Sequence, residues 1–516
     1  MQTTDSTSNM RPAQAARGPA AGLMRLVTGR LTLDDLWLVT PLAMAFIFLL
    51  NLQIHPADFW WHVRIGQIIA QTGQIPTTDL FTFTRAGETW INQGWLMQTW
   101  LYLLLRAGGL PLILFAHAVV ISAGYLLVEL ACLRMADGQP RAAALATVAA
   151  MAVGIVHWNV RPQSASYLCF GVVVYVLTRR RAGRTRLLWV LPPLFALWVN
   201  LHGGFIFGLG LLAIHAVMRA VEEWLTTRRL SRDATHLLAA TGASALALAL
   251  NPGGPMQAVR YVLGFLQSSI TVQKNLEFQP LSIREADGLL FFVVLLLFLA
   301  AFWRRRASLA ADQLASLVIF GLASLYARRI VPWYGMALGP VLAWTLARRP
   351  ADPTPALRPG RPGLNYALLG LMVCCAVLLS PWTRPYVPPP FSRSHVVEDF
   401  NPEQAAAVLC RLGPTARPFA NIFFASYLEW ACPAVLTFMD TRFELYPAAM
   451  WLDYIRITNG LHDWEERLVG YGVNALFVQK ESEYELIRAA KRSGHWETIY
   501  EDAWAIVLLR RDAAGQ

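Results

Sequence analysis

The 516-residue chain is 55% hydrophobic and only 15% charged, with a mean hydropathy of +0.40. Soluble proteins carry about 25% charged residues, so a string of roughly three soluble domains of ~150 residues is excluded in favour of a helix bundle in lipid. The 44 Lys+Arg exceed the 33 Asp+Glu, but nearly all are Arg in short clusters between apolar runs. That is how membrane proteins hold loops on the cytoplasmic side, and it excludes a nucleic-acid binder.

Residues 1–34 read as a disordered cytoplasmic tail without a cleavable signal pattern. Apolar stretches then recur near 36–52, 110–132, 141–157, 163–178, 187–200, 204–220, 234–250, 288–303, 313–327, 330–347 and 364–381. Several are shorter than the ~20 residues a perpendicular span needs, and Pro192-Pro193 interrupts one of them. Gly94–Leu105 is too short to cross and reads as interfacial or re-entrant. With that choice and Met1 inside, every cluster of three or more arginines falls on one side, including Arg179–Arg186 and Arg304-Arg305-Arg306. The expectation is a polytopic α-helical membrane domain over 35–381 with about eleven spans. Its outer side carries two long loops, 53–109 and 251–287.

From Trp382 the chain turns polar. Apolar segments at Pro418–Phe424, Ala434–Tyr446, Ala475–Val478 and Ala503–Leu509 read as strands. Pro402–Leu412, Trp464–Tyr471 and Glu483–Ser493 read as helices. Residues 382–516 are therefore expected to form an extracytoplasmic α/β domain, tethered by the Pro-rich stretch Tyr386–Pro390. Of six cysteines only Cys410 and Cys432 lie in polar sequence, so one disulfide is open to them in an oxidising compartment.

The same thread brings the unusual polar residues to the outer mouth: Asp58, His62, Asp79, His157, Arg161, Gln163, Asn200, His202, Asn251, Glu277, Arg328 and Arg329. Ionisable groups at membrane level are costly and mark functional sites by default. Each taken alone has a plain alternative: a helix cap for Asp58, a loop hydrogen bond for His62, a headgroup anchor for Arg328-Arg329, an interfacial salt bridge for Glu277. Their convergence on one side favours a site. In the helix that starts at Pro56, Trp61, Ile65, Ile68 and Ile69 share one apolar face, expected to lie at the headgroup level.

Asp58 after the first span, a horizontal helix, Gly73–Asp79 and the amphipathic stretch Trp90–Leu105 follow one another in an order that resembles the GT-C superfamily. This superfamily comprises polytopic glycosyltransferases of the protein O-mannosyltransferase and aminoarabinose transferase type. Asp58–His62, Arg161-Pro162-Gln163, Asn200–Gly204 and Ala327-Arg328-Arg329 are similar to motifs of a bacterial GT-C-like group. Members of that group also carry a C-terminal outer segment like Asp440–Tyr446. The resemblance implies a GT-C-like fold in a bacterial inner membrane, with the N-terminus cytoplasmic. It further implies inverting transfer of a sugar from a polyprenyl-phosphate donor to a glycan, lipid or protein acceptor.

In that chemistry Asp58 is the candidate general base for the acceptor hydroxyl. Arg161, Arg328 and Arg329 are candidates to hold the lipid phosphate, because guanidinium keeps its charge and grips phosphate oxygens in a fork. His62, Asp79, His157, Gln163, Asn200, His202 and Glu277 complete the expected binding set. No cofactor is required. His62, His157 and His202 at one mouth keep a divalent metal open as an option, although no ligand spacing supports one. On a strand, Asp440, Arg442, Glu444 and Tyr446 would line one face as an acid–base ladder or a glycan contact. The competing reading is a non-catalytic transport or assembly protein whose outer domain docks a partner. A transporter would show charges at mid-span and internal repeats, and neither is seen in the sequence.

Overall fold

A computed structural model of the chain describes residues 31–267, 276–306, 308–348, 361–390, 393 and 395–511. The expected tail falls almost wholly outside the described residues. The helices are α1 (Leu33–Leu50), α2 (Pro56–Thr72), α3 (Trp95–Met135), α4 (Pro140–Gly154), α5 (Ser164–Arg181), α6 (Leu191–Leu201), α7 (Phe205–Thr227), α8 (Arg232–Ala247), α9 (Gln257–Gln267), α10 (Ala286–Arg305), α11 (Ala311–Tyr326), α12 (Val331–Leu346) and α13 (Pro362–Leu378). Among the described residues six helical segments are long and apolar enough to cross a membrane: 33–50, 95–135, 140–157, 205–227, 232–250 and 286–305. Shorter apolar helices lie at 185–201, 311–326 and 362–378. This is the build of a membrane protein.

Two glycine features position the site. Helix α3 breaks at Gly108-Gly109, where Gly109 takes φ 68°, a left-handed conformation that costs other residues about 1–2 kcal/mol. The break separates the amphipathic stretch from the apolar helix that follows. Farther along, α3 and α5 cross almost in contact. A Cβ on Gly124 would lie 2.6 Å from the Tyr167 carbonyl oxygen, and one on Gly171 would lie 2.5 Å from that of Gly124. Only small residues allow such an approach. The bundle core beside this crossing is aromatic, with Tyr125 against Trp158 at 5.2 Å between ring centroids and Tyr167 against Trp333 at 5.1 Å.

The C-terminal region holds α14 (Glu403–Leu412), α15 (Ile422–Ala431), α16 (Ala448–Thr458), α17 (Trp464–Gly470) and α18 (Tyr484–Ser493). Its sheet has strands β1 (Pro418–Ala420), β2 (Ala475–Gln479), β3 (Trp496–Glu501) and β4 (Ala505–Arg510), in the order β1-β2-β4-β3. Only the β1–β2 pair is parallel; Phe477 stands opposite Val507 in the antiparallel β2–β4 pair. Both faces are covered. Phe477 and Val507 pack with Leu409 and Phe424, whereas Leu476 and Leu508 pack with Leu468 and Leu486. Cys410 and Cys432 are bridged, with Cα atoms 5.4 Å apart.

The second of those cores corrects the expectation for α2. Trp61, Ile65 and Ile69 are buried in it together with Phe81 and Trp90 of the first long loop. The apolar face read as lying among lipid headgroups is thus the seat of the C-terminal domain. The indole Nε1 of Trp61 donates to Thr441 Oγ1 at 3.0 Å, and its backbone N–H donates to Ser426 Oγ at 3.1 Å. Burial of each large apolar side chain here is worth about 1.5–3 kcal/mol, so loop and domain are held as one unit.

Candidate active site

A cavity of about 450 Å³ opens between the helix ends and the C-terminal domain. Asp58, His62, Arg161, Gln163, His202, Glu277 and Arg329 line it from one side, and Phe423, Arg442, Phe443, Glu444, Trp451 and Tyr454 from the other.

Asp58 is not the cap of its helix. His55 is: its Nδ1 accepts from the Ala57 N–H at 3.2 Å, and Pro56 takes the first helical position, where a missing N–H costs nothing. Asp58 sits in the first turn with 22% of its side chain exposed and Oδ2 3.3 Å from Arg161 Nε. The other end of the same guanidinium binds Glu277, with Nη1 2.5 Å from Oε1. Burial works against the Arg161 charge, but Asp58 and Glu277 outweigh it and push its pKa up. Burial alone would raise the Glu277 carboxyl; Arg161 and then Arg329 overcome this and hold it below the usual carboxylate range. Glu277 is kept in place because its loop is pinned to the α11–α12 turn. Gln279 O accepts from the Arg328 N–H at 3.2 Å, and the Arg329 guanidinium lies 4.5 Å from the Phe278 ring centre.

The two lining histidines are held neutral. Burial, then Arg161, His202 and Arg442, depress His62 well below its ordinary value. Gln98, itself fixed by the Asn92 amide at 2.8 Å, donates to His62 Nδ1 at 3.1 Å. Burial and Arg329 push His202 down to about 3. Its Nδ1 accepts from the Gly204 N–H at 3.0 Å and from Ser166 Oγ at 2.9 Å. In both rings the remaining nitrogen then carries the proton.

Four expected residues lie elsewhere. Asp79 is 2% exposed and buried beneath the cavity wall. It accepts from Thr82 N–H and Oγ1 at 3.1 and 2.6 Å and from Arg442 Nη2 at 2.5 Å. His157 and Arg328 both turn to Asp287, at 3.6 Å for the imidazole and 2.7 and 2.9 Å for the guanidinium. Asn200 ties loops together: its Oδ1 accepts from Trp95 Nε1 at 2.8 Å and from Asn251 Nδ2 at 3.2 Å. Charged partners hold Asp79, His157 and Arg328 away from the open space, and neutral loop hydrogen bonds hold Asn200.

The Asp440–Tyr446 segment is not a strand. It is a turn followed by the 3-10 turn Phe443–Leu445, wound so that Asp440 accepts from the Arg442 backbone N–H at 2.8 Å and from Arg442 Nε at 2.9 Å. The acid–base pairing is thus present without the expected pleat. This winding puts Phe443 against Trp451, stacked at 4.8 Å, on the cavity wall. Glu444 accepts from Trp90 Nε1 at 3.1 Å, and burial raises its carboxyl above the ordinary value. Gln98, Asp287 and this aromatic wall escaped sequence reasoning. A polar residue inside an amphipathic stretch and an acid in the first turn of an apolar helix were the available signals.

Comparison with protein-family models and with curated sequences gives no match. Among solved structures, the archaeal oligosaccharyltransferase AglB from Archaeoglobus fulgidus, in complex with an inhibitory peptide and a dolichol-phosphate, aligns over 90% of this chain and 72% of its own. The identity is 12% and the TM-score 0.51. The Archaeoglobus fulgidus oligosaccharyltransferase in complex with Zn and sulfate aligns over 92% of this chain and 73% of its own, at 13% identity and a TM-score of 0.50. The chain shares their fold. The likeness runs through both the helix bundle and the C-terminal region.

The neighbour solved with Zn makes the metal question concrete here. Among the described residues no three His, Cys, Asp or Glu side chains converge as a ligand set. Of the cavity carboxylates, Asp58 and Glu277 are both directed at one guanidinium, and Glu444 is held by the Trp90 indole.

Proposed function

We propose that this chain is a membrane glycosyltransferase. It moves a sugar from a polyprenyl-phosphate donor to a glycan, lipid or protein acceptor at the extracytoplasmic face of a bacterial inner membrane. The observation that carries this reading is the meeting of Asp58, Glu277, Arg161 and Arg329 in one cavity on a fold shared with enzymes of the same reaction class. The dolichol-phosphate and peptide in complex with the archaeal neighbour support a lipid-phosphate donor and, among the acceptors, a protein. The reading keeps the eleven-span thread, with the N-terminus inside.

In this reading Asp58 is the general base. An acceptor hydroxyl becomes acidic only as its oxygen bonds to the anomeric carbon, so a carboxylate within hydrogen-bond reach suffices to take the proton. Arg329 meets the charge that grows on the departing lipid phosphate. Glu277 and Arg161 hold Asp58 in position. Phe443 and Trp451 offer an aromatic face to a sugar ring, with Glu444 beside them.

The test is complementation of a deletion strain with wild type or Asp58→Asn, followed by mass spectrometry of surface glycans and lipid-linked sugars. Asp58→Asn should lower transfer by about 10²–10⁴-fold and leave the donor to accumulate. Undiminished glycan with the variant present at wild-type levels would defeat the catalytic reading.

A further inference from the structure

We infer that Arg161 is a built-in counter-cation for the carboxylates of the cavity, occupying by side chain the position that a divalent metal would need. The inference concerns the same cavity as the proposed function. It is read through metal binding, so it stands or falls separately from the transfer chemistry.

Two carboxylates brought to one wall of a low-dielectric cavity cannot both stay ionised without a cation between them. A divalent metal is one solution; an arginine is the other, and its planar fork suits two acids at once. Here the fork is in use on both sides, Nε at 3.3 Å from Asp58 and Nη1 at 2.5 Å from Glu277. The backbone that presents it is fixed as well. Arg161 O accepts from Ser164 Oγ at 2.7 Å and from the Ser164 N–H at 3.0 Å.

The rest of the wall is unsuited to a metal. Arg329 also lines the cavity, so Asp58 and Glu277 already meet two guanidiniums there; the third lining carboxylate, Glu444, accepts from the Trp90 indole, and a divalent ion would meet acids that are already engaged. The remaining guanidinium, Arg442, is matched by Asp79 and Asp440. The imidazoles offer a metal no free lone pair. The Nδ1 atoms of His62 and His202 accept from Gln98 and from the Gly204 amide, so the other nitrogen of each ring carries the proton. A metal would have to evict Arg161 and reverse both tautomers.

Removing Arg161 should therefore create what the wild type lacks. The experiment uses the purified full chain in detergent, stripped with EDTA and titrated with Mn²⁺ under electron paramagnetic resonance. Wild type should leave the free Mn²⁺ signal unchanged at equimolar metal. Arg161→Ala should remove one equivalent of it, and Arg161→Ala combined with Glu277→Gln should restore the wild-type response. Size-exclusion profile and thermal transition certify that each variant is folded. One equivalent of Mn²⁺ on the wild type, lost in Asp58→Asn or Glu277→Gln, overturns the inference. So does a folded Arg161→Ala that binds none. If Arg161→Ala does not fold, the wild-type titration and Arg161→Lys, which retains a cation and should also bind no Mn²⁺, still decide it.

Discussion

Helix α5 has a charged cluster at each end, about 27 Å apart by its length, and both pair arginine with carboxylates. At the cavity end Arg161 joins Asp58 and Glu277. At the far end Arg180 and Arg181 meet Asp312 and Asp233, and His215 Nδ1 lies 3.0 Å from Asp312 Oδ2. The space beside this second cluster is only about 40 Å³, room for a few waters at most. The cavity beside the first is about 450 Å³. Ion pairs alone thus do not mark a site in this fold. Room beside them does, because a paired charge with no space around it can only staple helices. The arginines at 179–181 read in sequence as a loop charge that sets topology, yet Arg180 is 5% exposed and cross-links three helical segments.

The contrast can be broken most forcefully at the closed end. Asp312→Ala leaves Arg180 and His215 buried beside a missing anion and takes the partner from Arg181, and loss of one partner from a buried pair costs about 3–5 kcal/mol. Thermal unfolding in detergent should show a large drop, while transfer per folded molecule stays at the wild-type level. Asp58→Asn should do the reverse. An Asp312→Ala protein that melts like wild type would remove the distinction between staple and site.

A smaller effect sharpens the comparison within one dipeptide. Arg329 lines the cavity, whereas Arg328 is bound to Asp287 by two hydrogen bonds. A hydrogen bond to a charged group is worth about 1.5–3 kcal/mol, so Arg329→Gln should lower kcat/KM for the lipid-linked donor by about 10–100-fold. Arg328→Gln should lower thermal stability and leave kcat/KM nearly unchanged. Equal kinetic losses for the two variants would count against the assignment of phosphate binding to Arg329.

Much of this was legible in the chain. Unbroken apolar runs gave the helices of the bundle. Ala475–Val478 and Ala503–Leu509 gave the two central strands, because a strand covered on both faces needs no alternation. The outer ends of spans gave seven of the cavity residues. The failures have physical causes. Pro418–Phe424 reads as one strand, but Asn421 caps a helix there, accepting from the Phe423 N–H at 2.9 Å and the Phe424 N–H at 3.3 Å. The alternation of Asp440–Tyr446 was overridden by the reach of Arg442 to Asp79, a partner 363 residues away. The face of α2 was apolar as read, but sequence cannot say whether lipid or a distant domain covers it.

That long-range contact supports the smallest prediction. Arg442 lies 5.1 Å from the ring centres of both Phe81 and Trp90, bound to Asp440 within its own turn and to Asp79 across the interface. In Asp79→Asn the one remaining side-chain oxygen can still accept from the Thr82 N–H and Oγ1, as Oδ2 does in the wild type, so most of the loop turn survives, although the Phe81 N–H bond to the other oxygen is given up. Arg442 keeps Asp440, so no charge is stranded. What is lost between loop and domain is one charge-assisted bond, about 1.5–3 kcal/mol, read as a fall in the thermal transition. Because Arg442 also forms part of the cavity wall, the same substitution loosens the aromatic side of the site without touching Asp58. KM for the acceptor should then rise more than kcat falls. If the outer domain serves only to cover the bundle, stability will fall and both kinetic constants will hold.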